Sequence, residues 1–231
     1  MPRIAVVFVS YLKVPESRLQ DHFAWNDAVY RAFGDQLRVY VVSDVEHDMP
    51  DYAETVLFPI ERLPVVNGQP RFSLSMTKNA GIQKAIGDGC THIVCTDVDI
   101  SFDCESLGLC AAVDNRTASI PIYRMAQSFT TRDTGREDRG CTGTIGMTDA
   151  NWRRLQFNEQ CVGYGAEDGI LLRAIERVGI DVVRDYHVSH IAHVPGDGAR
   201  TPGRGSNTCW GRDDGFNFDN FRNNKRFHRR G

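Results

Sequence analysis

Two periodicities alternate along this chain. Ile4-Ala5-Val6-Val7-Phe8-Val9 is an unbroken apolar run, the mark of a strand buried on both faces of a parallel sheet. From Pro15 onward Leu19, Phe23, Val29, Tyr30 and Phe33 form the apolar stripe of a helix that Gly34 stops. Residues 37–42 predict a second strand ending at Ser43-Asp44, 55–60 a short third, and 64–70, with Asn67-Gly68, a turn. A helix is predicted over 73–87, with Leu74, Met76, Ile82, Ala85 and Ile86 on one face, and 93–96 is the central strand.

The pattern thins after that strand. The polar stretch 127–140 reads as a mobile loop, 143–147 as a short strand and 149–155 as a helical turn. Gly163 to Asp168 opens a helix whose face is Ile170, Leu171, Ala174, Ile175 and Val178, with Gly179 as its stop, and 180–183 is a further strand. Strands alternating with helices predict an α/β fold: a mainly parallel central sheet with helices on both faces, ligands sitting beyond the strands' C-terminal ends.

With 231 residues, the chain fits one large α/β domain as readily as two small ones. An apolar share of 41% and a charged share of 25% exclude disordered and fibrous classes. A formal charge of −3 excludes the basic field of a general nucleic-acid binder. No apolar run approaches the ~20 residues that span a bilayer, and the start has no signal-peptide layout, so the expectation is a cytoplasmic protein without a membrane span. The seven cysteines form no C-x-x-C pair and read as reduced thiols.

Chemistry concentrates where the central strand ends, at Thr96-Asp97-Val98-Asp99. In a continuing strand Asp97 and Asp99 point to one side while Val98 turns to the core. Two like charges side by side repel unless a cation relieves them. Hard ions such as Mg²⁺ and Mn²⁺ take carboxylate and phosphate oxygens, so the pair suggests a metal-held phosphate. His187, His190 and His193 recur at intervals of three and are candidate metal ligands. Glu167 and Asp168 lie in a helix's first turn, where carboxylates also serve simply to offset the helix dipole. Neither G-x-G-x-x-G after the first strand nor G-x-x-x-x-G-K-[ST] occurs, which removes the usual dinucleotide and P-loop cradles.

Four pieces in order resemble the metal-dependent GT-A glycosyltransferases. Thr77-Lys78-Asn79-Ala80-Gly81 looks like their K/R-N-x-G signature, and Thr96-Asp97-Val98-Asp99 is similar to their D-x-D. Gly163-Tyr164-Gly165-Ala166-Glu167-Asp168 resembles the G-[WY]-G-x-E-D segment of galactosyltransferases and chondroitin-polymerising enzymes. His193-Val194-Pro195-Gly196 is similar to the late segment that supplies a third metal ligand there.

The resemblance implies a single Rossmann-like GT-A domain over 1–231. Residues 1–100 would be the nucleotide-binding half, 101–195 the acceptor and catalytic half, and 196–231 a flap or tail. It implies transfer of a sugar from a nucleotide-sugar donor, UDP-linked by expectation, to a saccharide or other hydroxyl acceptor with Mn²⁺ or Mg²⁺. Asp99 would bind the ion, Asp97 the ion or the donor ribose, and His193 or His190 would complete the set. Ser10, Tyr11, Asp44, Lys78 and Asn79 would line the donor site, Lys78 having a solvated helix lysine as its competing reading. Tyr164 and Gly165 would meet the acceptor. Asp168 would be the catalytic base of an inverting displacement, with Glu167 on a donor or acceptor hydroxyl. Tyr164 stands where the galactosyltransferases usually have tryptophan, and Gly169 where they often have another acid, leaving sugar and acceptor open.

Three alternatives are carried, one of them a non-catalytic sugar- or metal-binding module. The tail Arg222, Lys225, Arg226, Arg229 and Arg230, with Phe221 and Phe227 interleaved, suits an enzyme that glycosylates a hydroxylated DNA base. A nucleotidyltransferase also places paired aspartates beside an α/β sheet, though the Gly-rich signature expected near its first strand is missing from Ser10-Tyr11-Leu12-Lys13-Val14.

Overall fold

A computed structural model describes residues 3–11, 16–66, 68–125, 137–138, 143–161 and 167–190. In chain order it contains β1 (Ile4–Val9), α1 (Glu16–Phe33), β2 (Leu37–Ser43), β3 (Ala53–Leu57) and the two-residue strands β4 (Val65–Val66) and β5 (Gln69–Pro70). Then come α2 (Leu74–Gly87), β6 (His92–Cys95), β7 (Ile100–Ser101), α3 (Cys104–Ala111), β8 (Thr117–Ser119), β9 (Ile122–Met125) and β10 (Glu137–Asp138). The last elements are β11 (Ile145–Thr148), α4 (Asp149–Arg154), α5 (Glu167–Arg177), β12 (Asp181–Val183) and β13 (His187–His190).

Seven strands form the main sheet in the order β12-β8-β11-β6-β1-β2-β3. β1 lies at its heart, parallel to β2 on one side and β6 on the other. Its odd and even residues serve two cores, as strand alternation requires. Ala5, Val7 and Val9 pack with Ile82, Ala85 and Ile93 under α2, while Ile4, Val6 and Phe8 pack with Leu19, Tyr30 and Leu107 under α1 and α3. Each such side chain contributes about 1.5–3 kcal/mol on burial. β11 enters antiparallel between β6 and β8, so the sheet is mainly but not wholly parallel. A smaller sheet, β10-β9-β13-β7, begins just past the aspartate pair.

Glycine decides how closely α2 sits on the sheet. A Cβ on Gly81 would lie 2.5 Å from Val7 Cγ1 and 2.6 Å from Val42 Cγ2. The helix starts at Ser73, whose hydroxyl accepts from the Met76 N–H.

Several expectations need correction. The third strand is Ala53–Leu57, earlier than the predicted 55–60. α3 was not anticipated; Asp103 and Ser106 start it with a reciprocal capping box that uses serine in place of the usual Glu or Gln. On α1 the buried row is Arg18, Leu19, His22, Asn26 and Tyr30, while Phe23, Val29 and Phe33 are only partly buried. Val178 is exposed. β6 ends at Cys95 and residues 98–99 form a turn, so strand alternation does not relate Asp97 to Asp99. The ladder stops once the Thr96 N–H has paired with the Val7 carbonyl.

Within the predicted polar loop, Glu137–Asp138 pairs antiparallel with β9; the rest of it beyond residue 125, and the tail with its basic and aromatic residues, lie outside the described residues. Cys90, Cys95, Cys104, Cys110 and Cys161 are free thiols. Among the described residues no helix is long and apolar enough to cross a membrane.

Candidate active site

The centre of the site is a buried lysine. Lys78, in the first half of α2, has no solvent exposure. Its Nζ lies 3.2 Å from Asp97 Oδ1, 3.3 Å from Asp168 Oδ1 and 3.8 Å from Glu167 Oε1, with the Phe157 ring 5.1 Å away. An ammonium taken out of water is costly unless paired and hydrogen-bonded. Burial works against its charge here, but Asp168, Asp97 and Glu167 outweigh burial and hold its pKa well above the ordinary value. The solvated-lysine alternative is therefore wrong.

The carboxylates around it outnumber it. Burial pushes Asp97 up to about 6; Lys78 pulls it down, and Asp168 and Asp99 push it further up. Glu167 goes up to about 8, first by burial and then by Asp168, again against Lys78. Burial and the neighbouring Asp168 thus favour the protonated form of Glu167, against the pull of Lys78. Asp97 and Asp168 remain reachable, their side chains 26% and 19% exposed, whereas Glu167 is 4% exposed.

Three acids sharing one lysine, with Asp99 adding a like charge beside Asp97, leave a surplus of negative charge in a set of hard oxygen donors, which fits Mg²⁺ or Mn²⁺ better than a soft metal. Among the described residues no three His, Cys, Asp or Glu side chains converge to hold an ion by themselves. An ion held by Asp97 and Asp99 would take its further ligands from elsewhere, such as phosphate oxygens. The backbone of His190 pairs opposite Ile100, the residue after Asp99, through the β13–β7 ladder. His193, Tyr164 and Gly165 lie outside the described residues.

Other expected donor-site residues hold structure. Tyr11 is buried, its ring against Phe58 and Phe72 and its hydroxyl donating to the Phe58 carbonyl at 2.7 Å. Ser10 is buried at the end of β1, with its N–H on the Val42 carbonyl. Asn79 is buried, and its amide donates to the Phe157 carbonyl at 2.9 Å and to Glu159 at 3.0 Å, and accepts from the Phe157 N–H at 3.0 Å. It clamps the segment before α5 onto α2. Asp44 is partly exposed just past β2, beyond the same sheet end as the cluster.

Sequence reasoning missed Gly143 and Phe157. Gly143 has φ +64° and lies so near the Asp97 carboxylate that a Cβ there would collide with it. Next to it, Thr144 shares a 2.7 Å hydrogen bond with Thr96, tying the start of β11 to the aspartate turn. The Thr142-Gly143-Thr144 sequence before an apolar strand carried that signal but was read only as a strand start.

No family model and no curated protein matches the sequence. Solved structures do match. A mutant of Drosophila β1,4-galactosyltransferase 7, in complex with manganese, UDP-Gal and xylobiose, has a TM-score of 0.57 at 17% identity, over 94% of this chain and 83% of that one. The chain has the GT-A fold. Mannosyltransferase PcManGT from Pyrobaculum calidifontis, in complex with GDP-Man and Mn²⁺, matches at TM-score 0.54 and 15% identity over 86% of this chain and 59% of its own. S. aureus TarS gives 0.54 and 15%, over 82% and 60%. This GT-A chain thus spans about six tenths of the last two. In its GT-A frame the Lys78 cluster lies past the C-terminal end of β6, where ligands of open α/β sheets bind.

Proposed function

We propose that this chain is a metal-dependent glycosyltransferase that moves a sugar from a nucleotide-sugar donor to an acceptor hydroxyl. The observation that carries this reading is the Lys78 cluster, which brings the D-x-D aspartate Asp97 and the E-D pair Glu167-Asp168 onto one ammonium. Residues 1–100 would hold the nucleotide, and the manganese and nucleotide sugars in two of the GT-A structures above make Mn²⁺ with a UDP-sugar the first donor to try.

Asp97 and Asp99 would hold the ion against the donor diphosphate. A divalent ion bound there supplies Lewis-acid stabilisation of the leaving diphosphate. Asp168, partly exposed at the start of α5, takes the proton from the acceptor hydroxyl as that oxygen attacks the anomeric carbon, which inverts its configuration. Lys78 keeps this carboxylate in place and offsets the charge of its neighbours. Glu167, beside Asp168 on the same helix turn, would hydrogen-bond a donor or acceptor hydroxyl.

The test is turnover of a panel of UDP- and GDP-sugars with Mn²⁺ or Mg²⁺, comparing the parent with Asp99→Ala and Asp168→Asn. Asp99→Ala should abolish metal-dependent turnover. Asp168→Asn should cut kcat by roughly 10²–10⁴ while leaving donor binding intact. If no nucleotide sugar binds or reacts, and Asp99→Ala changes nothing, the enzyme reading is wrong.

A further inference from the structure

α1 has an unusual inner row. Arg18, His22, Asn26 and Tyr30 follow one another at intervals of four on one helix face, and all four are buried. A helix packed on a sheet normally fills that row with Leu, Ile or Val, because buried polar groups cost stability unless hydrogen-bonded. The partners of His22 and Asn26 explain the exception. His22 Nδ1 lies 2.9 Å from the Val98 carbonyl and Nε2 lies 2.8 Å from the Tyr30 hydroxyl. A carbonyl only accepts, so Nδ1 carries the proton and Nε2 accepts from Tyr30. Asn26 donates to the Ile100 carbonyl at 2.9 Å and accepts from the Phe102 N–H at 2.9 Å. The ring of Phe8 packs against His22 at 4.1 Å between centroids.

All of these backbone groups belong to the segment that carries the aspartates. Val98 stands between Asp97 and Asp99, and Ile100 follows them. The turn at 98–99 lies between β6 and β7 and belongs to neither strand, so two side chains from a helix 76 and 74 residues away supply the restraint. Gly143 allows the start of β11 to close on Asp97. The turn is held by α1 through its backbone carbonyls and is approached by Gly143 at the Asp97 carboxylate.

We propose that His22 and Asn26 are positioning residues that fix the spacing of the Asp97 and Asp99 carboxylates and thereby set the affinity of the site for a divalent cation. This rests on the reading of those aspartates as metal ligands. A first coordination shell holds an ion tightly only when its ligands are already oriented by partners behind them, and loss of such partners typically costs 10- to 100-fold in affinity. Carboxylates on a turn freed to move lose that preorganisation even when both remain present.

The experiment titrates Mn²⁺ alone into the protein and follows free ion by electron paramagnetic resonance. The variants are Asp99→Ala, His22→Leu, His22→Asn, Asn26→Leu and, as a control for general destabilisation, Tyr40→Phe, which removes a buried hydroxyl's bond to Asp88 on β2's side of the sheet. His22→Leu and Asn26→Leu should weaken Mn²⁺ binding at least 10-fold. His22→Asn, whose Nδ2 takes the place of the ring Nδ1, should recover to within about 3-fold of the parent, and Tyr40→Phe should not shift it. Should a leucine variant fail to fold, Tyr30→Phe releases the far side of the His22 ring without changing shape and should weaken binding about 3-fold; unchanged affinity there overturns the proposal. Parent-like affinity in folded His22→Leu and Asn26→Leu, with Asp99→Ala abolishing binding, overturns the positioning role alone. A parent that binds no Mn²⁺, or binding that survives Asp99→Ala, overturns the metal site and the positioning role together.

Discussion

Lys78 donates to Asp168 across 3.3 Å, joining residues 90 positions apart, and the same ammonium reaches Asp97 at 3.2 Å. The contact ties α2 to the first turn of α5 and to the aspartate turn. Replacing it with Lys78→Met leaves crowded carboxylates without their counter-charge. Removal of one partner from a buried pair usually costs 3–5 kcal/mol, and the partial exposure of Asp97 and Asp168 lowers that to roughly 2–4 kcal/mol. Urea unfolding without metal should show the loss, and millimolar Mn²⁺ should restore part of it. A variant as stable as the parent would mean that the cluster does not hold these elements together.

Glu167 gives a pH signature. Its pKa is raised from 4.5 to about 8, chiefly by burial. Between those values the folded chain holds a proton that the unfolded chain has lost, so this group makes stability fall as pH rises through the window. Glu167→Gln keeps the neutral shape and removes the slope. It should exceed the parent in stability by on the order of 1–3 kcal/mol at pH 8.5, with little difference at pH 4.5. Parallel urea curves for the two proteins at both pH values would show the prediction to be mistaken.

His22 slopes the other way. Burial lowers its pKa from 6.5 to about 4, against the pull of its Val98 hydrogen bond and of Asp99. Between those values the unfolded ring binds the proton that the folded ring refuses, so stability falls as pH is lowered across the window. The parent should lose about 2 kcal/mol more than His22→Leu between pH 7 and pH 5. Equal losses in the two proteins would mean that the ring is not held neutral.

The two glycines near the carboxylates should respond oppositely. Gly143→Ala meets a left-handed φ and a collision with Asp97, and should cost about 1–3 kcal/mol and weaken any metal dependence. Gly169→Ala lies inside α5 with nothing within 4 Å of the new methyl, and should stabilise by about 0.5–1 kcal/mol. Thermal melts of both variants settle this, and a harmless Gly143→Ala would show that the aspartate turn has more room than the geometry allows.

The frame of this fold was legible where burial on both faces writes an unbroken apolar run, as in β1 and β2, and where glycine punctuates a helix, as at Gly34 and Gly87. α3 escaped notice because its capping box ends in serine and its middle carries Gly108. The inner row of α1 was unreadable for a different reason. An apolar stripe is the expectation for any packed helix, and only the position of residues 98–102 reveals why His22 and Asn26 replace it. Lys78 was marked as a donor-site candidate with a solvated lysine as its competing reading; its burial and its carboxylate partners were not legible, because those partners arrive from distant segments. The aspartate pair was found for its chemistry, yet its assumed strand geometry was wrong, since sequence did not mark where the β6 ladder ends.

The short pairing of β7 with β13 closes a long excursion of the chain, bringing Ser101 within a hydrogen bond of Ser189, 88 residues later. The fold therefore holds the aspartate turn beside β13 by a short ladder, separately from the Lys78 contacts that tie it to α2 and α5.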